Sequence, residues 1–304
     1  ITVNRRRVKA VMQVSKQAFT YVFDRRTGEP VWPIEERPVP ASTVPGERTA
    51  PTQPFPTKPP AFDLQGATEE NLIDFTPELR TQALERLRAL EHGPLFAPIS
   101  STRYSVLVPG VAGGANWGGA GFDPETGILY VPSRLGPSVF QLVPVNPKEG
   151  NMRYVRGPFV SGQDTIDGLS IFKPPYSRVT AIDMNRGEHQ WMAPLGNGPR
   201  THPLLQNLNL PPLGDEHQNG TSVLVTKTLL VVSARPAGSK WAGADALRKL
   251  LYVFDKSSGT LVRAIELDGL AAAAPMTYLY QGKQYVVTAV GSGPSSELVA
   301  LSLP

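Results

Sequence analysis

The chain has 304 residues, of which 40% are hydrophobic and 18% charged, and this composition supports a sizeable globular core. It has no cysteine, which excludes disulfides, thiolate nucleophiles and cysteine-ligated metal sites. The formal net charge of +4 is dispersed except at Arg5, Arg6 and Arg7, so we expect no nucleic-acid partner.

A short phrase recurs four times among the 28 glycines and 31 prolines of this turn-rich sequence. In each copy an apolar run precedes an Asp, and a Gly follows four residues later. The copies are Asp24–Gly28, Asp123–Gly127, Asp183–Gly187 and Asp255–Gly259. Because Asp can bond its following backbone and Gly accepts a positive φ, each copy predicts a β-hairpin. Trp32 and Trp191 each follow their Asp by eight residues, where an indole could fill the wedge between neighbouring sheets.

The spacing of the repeats predicts an insertion at about residues 33–105. It starts with a proline-dense stretch, residues 38–60, which we predict to run extended over the surface without a sheet ladder. Thr76-Pro77-Glu78 predicts the start of a helix, and Gly93 is its predicted stop. The predicted buried face of that helix consists of Leu79, Ala83, Leu87 and Leu90.

Two later segments, about 136–176 and 196–219, are rich in Pro, Gly and Asn and are predicted to be irregular loops that shape a site. Near the end, a turn at 281–283 separates predicted strands, of which the last two are 284–290 and 297–303. We therefore predict an all-β fold with about four to five sheets. Because such an arc has unpaired open ends, another chain segment is expected to complete it.

Several stretches resemble quinoprotein dehydrogenases that depend on pyrroloquinoline quinone (PQQ), with the glucose-dehydrogenase-like branch most similar. They are residues 14–28, 31–40, 113–119, 275–287 and 297–304. The resemblance implies an eight-bladed β-propeller, of which residues 1–304 would be the C-terminal half. It also implies that the catalytic Asp and the calcium ligands lie upstream, so we assign neither to this chain.

The resemblance also assigns roles to three residues. Lys16 matches the family's basic residue near the quinone carbonyls, where an ammonium would stabilise developing negative charge. Asn116 and Trp117 match an Asn-Trp pair that binds the quinone and walls its cavity. The alternative interpretations are an ordinary strand lysine, a glycine-lined connection around Asn116 and a core tryptophan.

The function implied is oxidation of an alcohol or sugar hydroxyl by hydride transfer to PQQ with calcium present. Electrons would pass to a quinone or cytochrome acceptor. The resemblance further implies a periplasmic protein, with membrane association through a more N-terminal region as an additional expectation. An N-terminal half or a second copy of the chain would close the propeller.

Two alternatives remain open. The chain could be a non-enzymatic propeller that docks other proteins, in which case Lys16 and Asn116 would be dispensable, or a half-length product that pairs with itself. The four histidines lack zinc-ligand spacing and are expected mostly at the surface. Asp215-Glu216-His217 is predicted to be a group of solvated turn residues.

Overall fold

Antiparallel β-strands dominate the fold, as the punctuated sequence predicts. The computed structural model of the protein describes residues 1–215, 221–235 and 248–302. The strands of the first part are β1 (Thr2–Val3), β2 (Arg6–Arg7), β3 (Ala10–Val14), β4 (Thr20–Asp24), β5 (Ile34–Pro38), β6 (Thr52–Pro56), β7 (Ser105–Leu107), β8 (Gly121–Asp123), β9 (Ile128–Arg134), β10 (Ser138–Phe140), β11 (Leu142–Pro144) and β12 (Tyr154–Arg156). The later strands are β13 (Thr165–Ile166), β14 (Leu169–Ser170), β15 (Ser177–Asp183), β16 (Glu188–Pro194), β17 (Ser222–Val225), β18 (Leu229–Ser233), β19 (Leu250–Asp255), β20 (Leu261–Glu266), β21 (Met276–Tyr280), β22 (Lys283–Val290) and β23 (Glu297–Ser302).

Helical structure is scarce in the described chain. It comprises α1 (Pro77–Arg88) and two short 3-10 helices, Glu69–Asn71 and Gly293–Ser295. No helix among the described residues has the length and apolar character needed to cross a membrane.

The principal sheets are built in the same way, as meanders of antiparallel strands. The order is β16-β15-β9-β8 in one sheet, β17-β18-β19-β20 in the next and β21-β22-β23 in the last. Strands β3 and β4 form a smaller sheet, which the hydrogen bond from Val31 N–H to Val22 O extends at 2.8 Å. The prediction of an all-β fold is confirmed, whereas the number of blades stays a prediction.

Because neighbouring strands run in opposite directions, successive connections lie at opposite ends of these sheets. The tight turns of the repeated phrase lie at one end, which we call the short-turn end. The connection 15–19 and the long segments 33–120, 135–176 and 195–215 start from the opposite, long-loop end. Since long connections usually carry binding residues on a rigid scaffold, the long-loop end is where a site is expected.

The repeated phrase forms the same turn at all four positions. Each Asp carbonyl accepts the N–H of the Gly four residues later, at 2.7–2.9 Å. Each Asp carboxylate also accepts the N–H two residues on, at 2.8–3.0 Å. The four glycines have φ between 68° and 78°, a region that favours glycine. The predicted hairpin turns are confirmed.

Two of the four phrases nevertheless lie in one sheet. Asp123 belongs to the β8–β9 turn and Asp183 to the β15–β16 turn, while β9 and β15 pair directly with Asp183 opposite Ile128. The phrase describes the local chemistry of a tight turn, and either hairpin of a meander can use it. A copy of the phrase therefore marks a hairpin and does not by itself mark a separate sheet.

The inserted helix forms where the sequence predicts it. Thr76 caps it by accepting the Leu79 N–H at 3.2 Å, and Pro77 occupies the first turn. The predicted face of Leu79, Ala83, Leu87 and Leu90 is buried. The predicted stop at Gly93 is wrong, because the helix ends at Arg88 and Ala89 is its C-cap.

The proline-dense stretch does contain a sheet ladder, contrary to the prediction. Strands β5 and β6 pair over five residues, from Ile34 opposite Pro56 to Pro38 opposite Thr52. Pro54 and Pro56 are two residues apart, so their ring nitrogens face the same side of the strand. In a two-stranded ribbon that side can be the free edge, where no N–H donor is needed.

The segment 136–176 is also more regular than predicted, because it contains β10 to β14. It packs with the inserted helix and with residues near 205–213 around one shared core. The largest fully buried members of that core include Leu72, Ile73, Leu87, Leu135, Leu169, Ile171 and Phe172. The insertions therefore form a common layer at the long-loop end.

Tryptophans of one sheet contact turn glycines of another, as predicted. A Cβ built on Gly187 would lie 3.1 Å from Cζ2 of Trp32, and one built on Gly259 would lie 2.6 Å from Cε3 of Trp191. The Trp191 indole also donates to the carbonyl of Lys256 at 3.2 Å. A side chain at Gly259 would collide with Trp191, whereas one at Gly187 would require Lys58 and Trp32 to move by a few tenths of an ångström.

A buried ion pair reinforces this junction. Lys256 Nζ lies 2.6 Å from Asp123 Oδ2 and also donates to Thr226 O at 3.1 Å. Burial alone would raise the pKa of Asp123, but hydrogen bonds from Lys256, Thr126 and the Glu125 N–H outweigh it and lower that pKa. The carboxylate is therefore held in its charged form.

Replacing Asp123 with Asn should destabilise the fold in a pH-dependent way. At neutral pH the variant leaves the Lys256 ammonium buried without its counter-charge, which should cost about 3–5 kcal/mol of unfolding free energy. Since the folded pKa of Asp123 is lowered, its contribution is present above the ordinary pKa of about 4 and disappears as pH falls through the folded value. Urea denaturation at pH 6.5 and at successively lower pH should show the two proteins converging in acid.

Asp183→Asn is the matched control, because Asp183 occupies the same kind of turn but is paired only with the exposed Arg186, at 3.7 Å. It should change the unfolding free energy by less than about 1 kcal/mol. Equal losses in the two variants would contradict a special role for the buried pair.

Candidate functional site

Lys16 lies in the connection between β3 and β4, at the long-loop end. The connection is closed by a hydrogen bond from Ser15 N–H to Phe19 O at 2.9 Å. The Lys16 side chain is exposed, and its ammonium donates to Val111 O at 3.1 Å. Lys16 thus lies in a connection and not in a strand, and its role beside a cofactor stays a prediction.

That second loop, residues 110–119, lies directly on Lys16. Gly113 has φ +82°, and a Cβ there would lie 2.6 Å from Cα, Cβ and Cγ of Lys16. Gly114 N–H donates to Lys16 O at 3.0 Å. Only glycine satisfies both the positive φ and this close approach. The two loops are thus joined through backbone and side chain together.

Asn116 and Trp117 lie farther along the same loop. Asn116 is half-buried. Its side-chain Nδ2 donates to Ala112 O at 3.0 Å, and its backbone carbonyl accepts from Gly119 N–H at 3.0 Å. The indole of Trp117 is 92% exposed. The alternative that Trp117 is a core residue is wrong, whereas its role beside a cofactor stays a prediction.

The arrangement offers donors suited to an anionic, oxygen-rich ring. An ammonium, a primary amide and an exposed indole are presented by two joined loops at one end of the sheets. A carboxylated quinone such as PQQ carries oxygens that accept from the ammonium and amide, and a flat ring that an indole can contact. Each of these residue types suits such a group, and their convergence on one ligand stays a prediction.

A cavity of about 230 Å³ lies next to the Lys16 side chain. Its walls are mainly apolar and come from the insertion layer, including Pro94, Phe96, Val106 and Val111. A larger groove of about 930 Å³ runs beside β3, from Arg7, Lys9 and Arg25 at the short-turn end to Val14 and Gly119 at the long-loop end. It does not include Lys16, Asn116 or Trp117, so its size does not make it the site.

No metal centre is formed by the part of the chain that the structure describes, where no group of three or more His, Asp or Glu side chains could hold an ion.

Two expectations about polar residues are corrected. Asp215 is not solvated but 1% exposed, and it accepts from Gly198 N–H at 2.7 Å and from Tyr252 OH at 3.2 Å. Its neighbours Glu216 and His217 lie outside the described residues. His202, expected at the surface, is buried.

The sequence analysis missed a buried ion pair beneath these loops. Arg178 of β15 lies 2.9 Å from the Asp63 carboxylate, and both side chains are almost fully buried. Neither residue belongs to a recognisable motif. An Arg inside an apolar strand and an Asp between Phe62 and Leu64 were the only signals available.

A family model matches residues 1–286 of the chain. Its description is PQQ, glucose/ethanol/alcohol dehydrogenase, β-propeller domain. The match covers most of the chain and confirms the predicted kind of fold.

Curated relatives match along nearly the whole chain. The glycerol dehydrogenase large subunit of Gluconobacter thailandicus is 29% identical over 98% of this chain and 43% of its own length. The quinoprotein glucose dehydrogenase of Escherichia coli strain K12 is 27% identical over 100% of this chain and 40% of its own length. The chain thus spans about two fifths of these proteins.

Solved structures show the same fold. The quinohemoprotein alcohol dehydrogenase of Comamonas testosteroni superposes with a TM-score of 0.52 at 17% identity. The superposition covers 96% of this chain and 33% of that one.

Substituting Gly113 with Ala should test how tightly the two loops are joined. A methyl group there would collide with Lys16 and add backbone strain. The unfolding free energy should therefore fall by about 1–3 kcal/mol more than in a control variant in which the added methyl group meets no neighbour. Gly119→Ala is the control, since φ is +65° but a Cβ there meets no atom within 4 Å. Denaturant titration of both variants measures the difference, and equal effects would show that the loops are not in close contact.

Proposed function

We propose that this chain, which belongs to the glucose/ethanol/alcohol dehydrogenase family of PQQ β-propellers, forms part of a PQQ-dependent oxidoreductase. The enzyme would oxidise the hydroxyl of an alcohol or sugar. The observation that carries this proposal is the joined pair of loops that presents Lys16 and Asn116 at the long-loop end.

The chain spans 43% of the glycerol dehydrogenase subunit it resembles, so in this proposal the complete enzyme would draw on further residues. We assign the catalytic base and the calcium ligands to such residues. They would belong to an N-terminal half of the same protein or to a second chain.

Lys16 would stabilise the charge that builds up during the reaction. PQQ, when bound, supplies the two-electron oxidant that accepts hydride from the substrate carbon. The Lys16 ammonium would then donate to the quinone oxygen on which negative charge develops. Because Val111 O already holds the ammonium in place, little reorganisation would be needed as the charge appears.

Asn116 and Trp117 would hold the cofactor in place. The bond to Ala112 O uses only one N–H of the Asn116 amide, which leaves a second donor to give to a quinone oxygen or carboxylate. Trp117 would contact the ring or wall the cavity with its exposed indole. Its burial on cofactor binding would remove a large apolar surface from water.

The remaining parts of the proposal concern the protein's surroundings. We assign calcium as the accompanying metal, a quinone or cytochrome as the electron acceptor, and the periplasm as the compartment. Element analysis of the purified complete protein tests the metal directly. One calcium per bound PQQ is expected, and PQQ-dependent activity in metal-free protein would contradict it.

Replacing Lys16 with Ala should weaken PQQ binding. Loss of a charge-assisted hydrogen bond costs about 1.5–3 kcal/mol, equivalent to roughly a ten- to hundredfold rise in Kd. PQQ titration followed by absorbance, using the complete protein with calcium present, measures this change. Asn116→Ala should act in the same direction with a smaller effect.

Lys9→Ala is the matched control, because Lys9 is an exposed lysine at the opposite, short-turn end. It should leave the Kd for PQQ unchanged. A protein that binds no PQQ, or a Lys16→Ala variant that binds it as tightly as the wild type, would favour a docking scaffold instead.

A further inference from the structure

The segment Phe62–Gln65 connects the site to the sheet beneath it. On one side, Phe62 N–H donates to Ala18 O at 3.0 Å and the Gln65 amide donates to Gln17 O at 2.7 Å. Both acceptors are in the connection that carries Lys16. We call the segment 62–65 the brace.

The brace also lies beside the second loop, because a Cβ built on Gly114 would be 3.5 Å from Phe62 and 3.6 Å from Asp63. Gly114 donates to Lys16 O, and its own carbonyl accepts from Arg134 N–H at 2.9 Å. Movement of the brace would therefore act directly on the connection 15–19 and reach the second loop through the bond between Gly114 and Lys16.

On its other side, the brace is fixed to strand β15 by charge. Asp63 Oδ1 lies 2.9 Å from the guanidinium of Arg178 and accepts the Leu64 N–H at 2.8 Å. The same guanidinium donates to Pro175 O at 2.7 Å. The Phe62 carbonyl accepts a longer bond from Thr180, at 3.4 Å. The ion pair is thus the shorter of the brace's links to β15.

Holding the brace with this pair costs free energy, because two charges must be removed from water. Both side chains are almost completely buried, and Arg178 Nε has no hydrogen-bond partner among the described residues. Burial raises the pKa of Asp63, an effect that the Arg178 charge, the Ser133 hydroxyl and the Leu64 N–H oppose. Apolar residues of similar volume often stabilise a core as well as such a pair does, so stability alone does not explain it.

We infer that Asp63 and Arg178 are positioning residues that set the placement of Lys16 and the Gly113–Asn116 loop through the brace. The inference rests on the proposed function, in which these loops bind PQQ. An ion pair has a preferred direction and distance, which an apolar contact lacks. It therefore holds the brace in one position, which in turn fixes the positions of the site loops.

The test separates geometry from stability by replacing the pair with apolar residues. Asp63→Leu combined with Arg178→Met should retain a thermal stability near that of the wild type, because no unpaired charge stays buried. PQQ affinity and kcat should still fall by about ten- to hundredfold, because a shift of about 1 Å is enough for that loss. The KM for substrate should change much less than kcat. All measurements use the complete protein with calcium and PQQ.

Two further variants sharpen the result. Arg178→Lys keeps the charge but loses the planar fork, and should retain more of the PQQ affinity than the apolar double variant does. Glu69→Leu with Arg88→Met removes an exposed ion pair on the insertion, 2.8 Å long, and should change neither affinity nor kcat.

The possible failures are distinguishable. If the apolar double variant folds stably and binds PQQ with the wild-type Kd and kcat, the positioning role is overturned while the proposed function stands. If Lys16→Ala also leaves PQQ binding unchanged, the proposed function fails and the inference fails with it. If Arg178→Lys binds PQQ no more tightly than the apolar double variant, the directional argument is wrong.

Discussion

The contact between neighbouring sheets at the short-turn end is the constraint on which the rest of the structure depends. Trp191 lies on Gly259, and the backbone and ammonium of Lys256 connect the indole, the Asp123 carboxylate and Thr226 O. These contacts are short, buried and specific in direction, so they fix how one sheet faces the next. With that geometry set by compact turns, the opposite end is free to carry long connections.

The long connections do not behave as independent loops. The inserted helix, the segment 135–176 and residues near 205–213 share one apolar core, which orders them as a layer over the sheet ends. Binding residues on loops are useful only when their positions are fixed, and shared burial provides that. Lys16 itself lies in a short connection, but it is held by groups from this layer, namely Val111 O and the Gly113 backbone.

Local chemistry was predictable from the sequence, and long-range pairing was not. The Asp-to-Gly turns and the Thr76 cap depend on residues a few positions apart, so their patterns are visible in the chain. That Asp123 and Asp183 share a sheet depends on β9 pairing with β15 across a long insertion, which no local pattern records. The family resemblance located Lys16 and Asn116. It could not show that Trp117 is exposed or that Asp215 is buried, because exposure is set by distant packing.

The same distinction explains why the ion pair beneath the site was invisible in the sequence. Asp63 and Arg178 come into contact only when the insertion folds back onto β15. As a unit the pair is neutral, so it can orient the brace without adding a second positive charge beneath Lys16. A paired anchor therefore gives directional support without a net buried charge, which an apolar contact or a lone charge would not provide together.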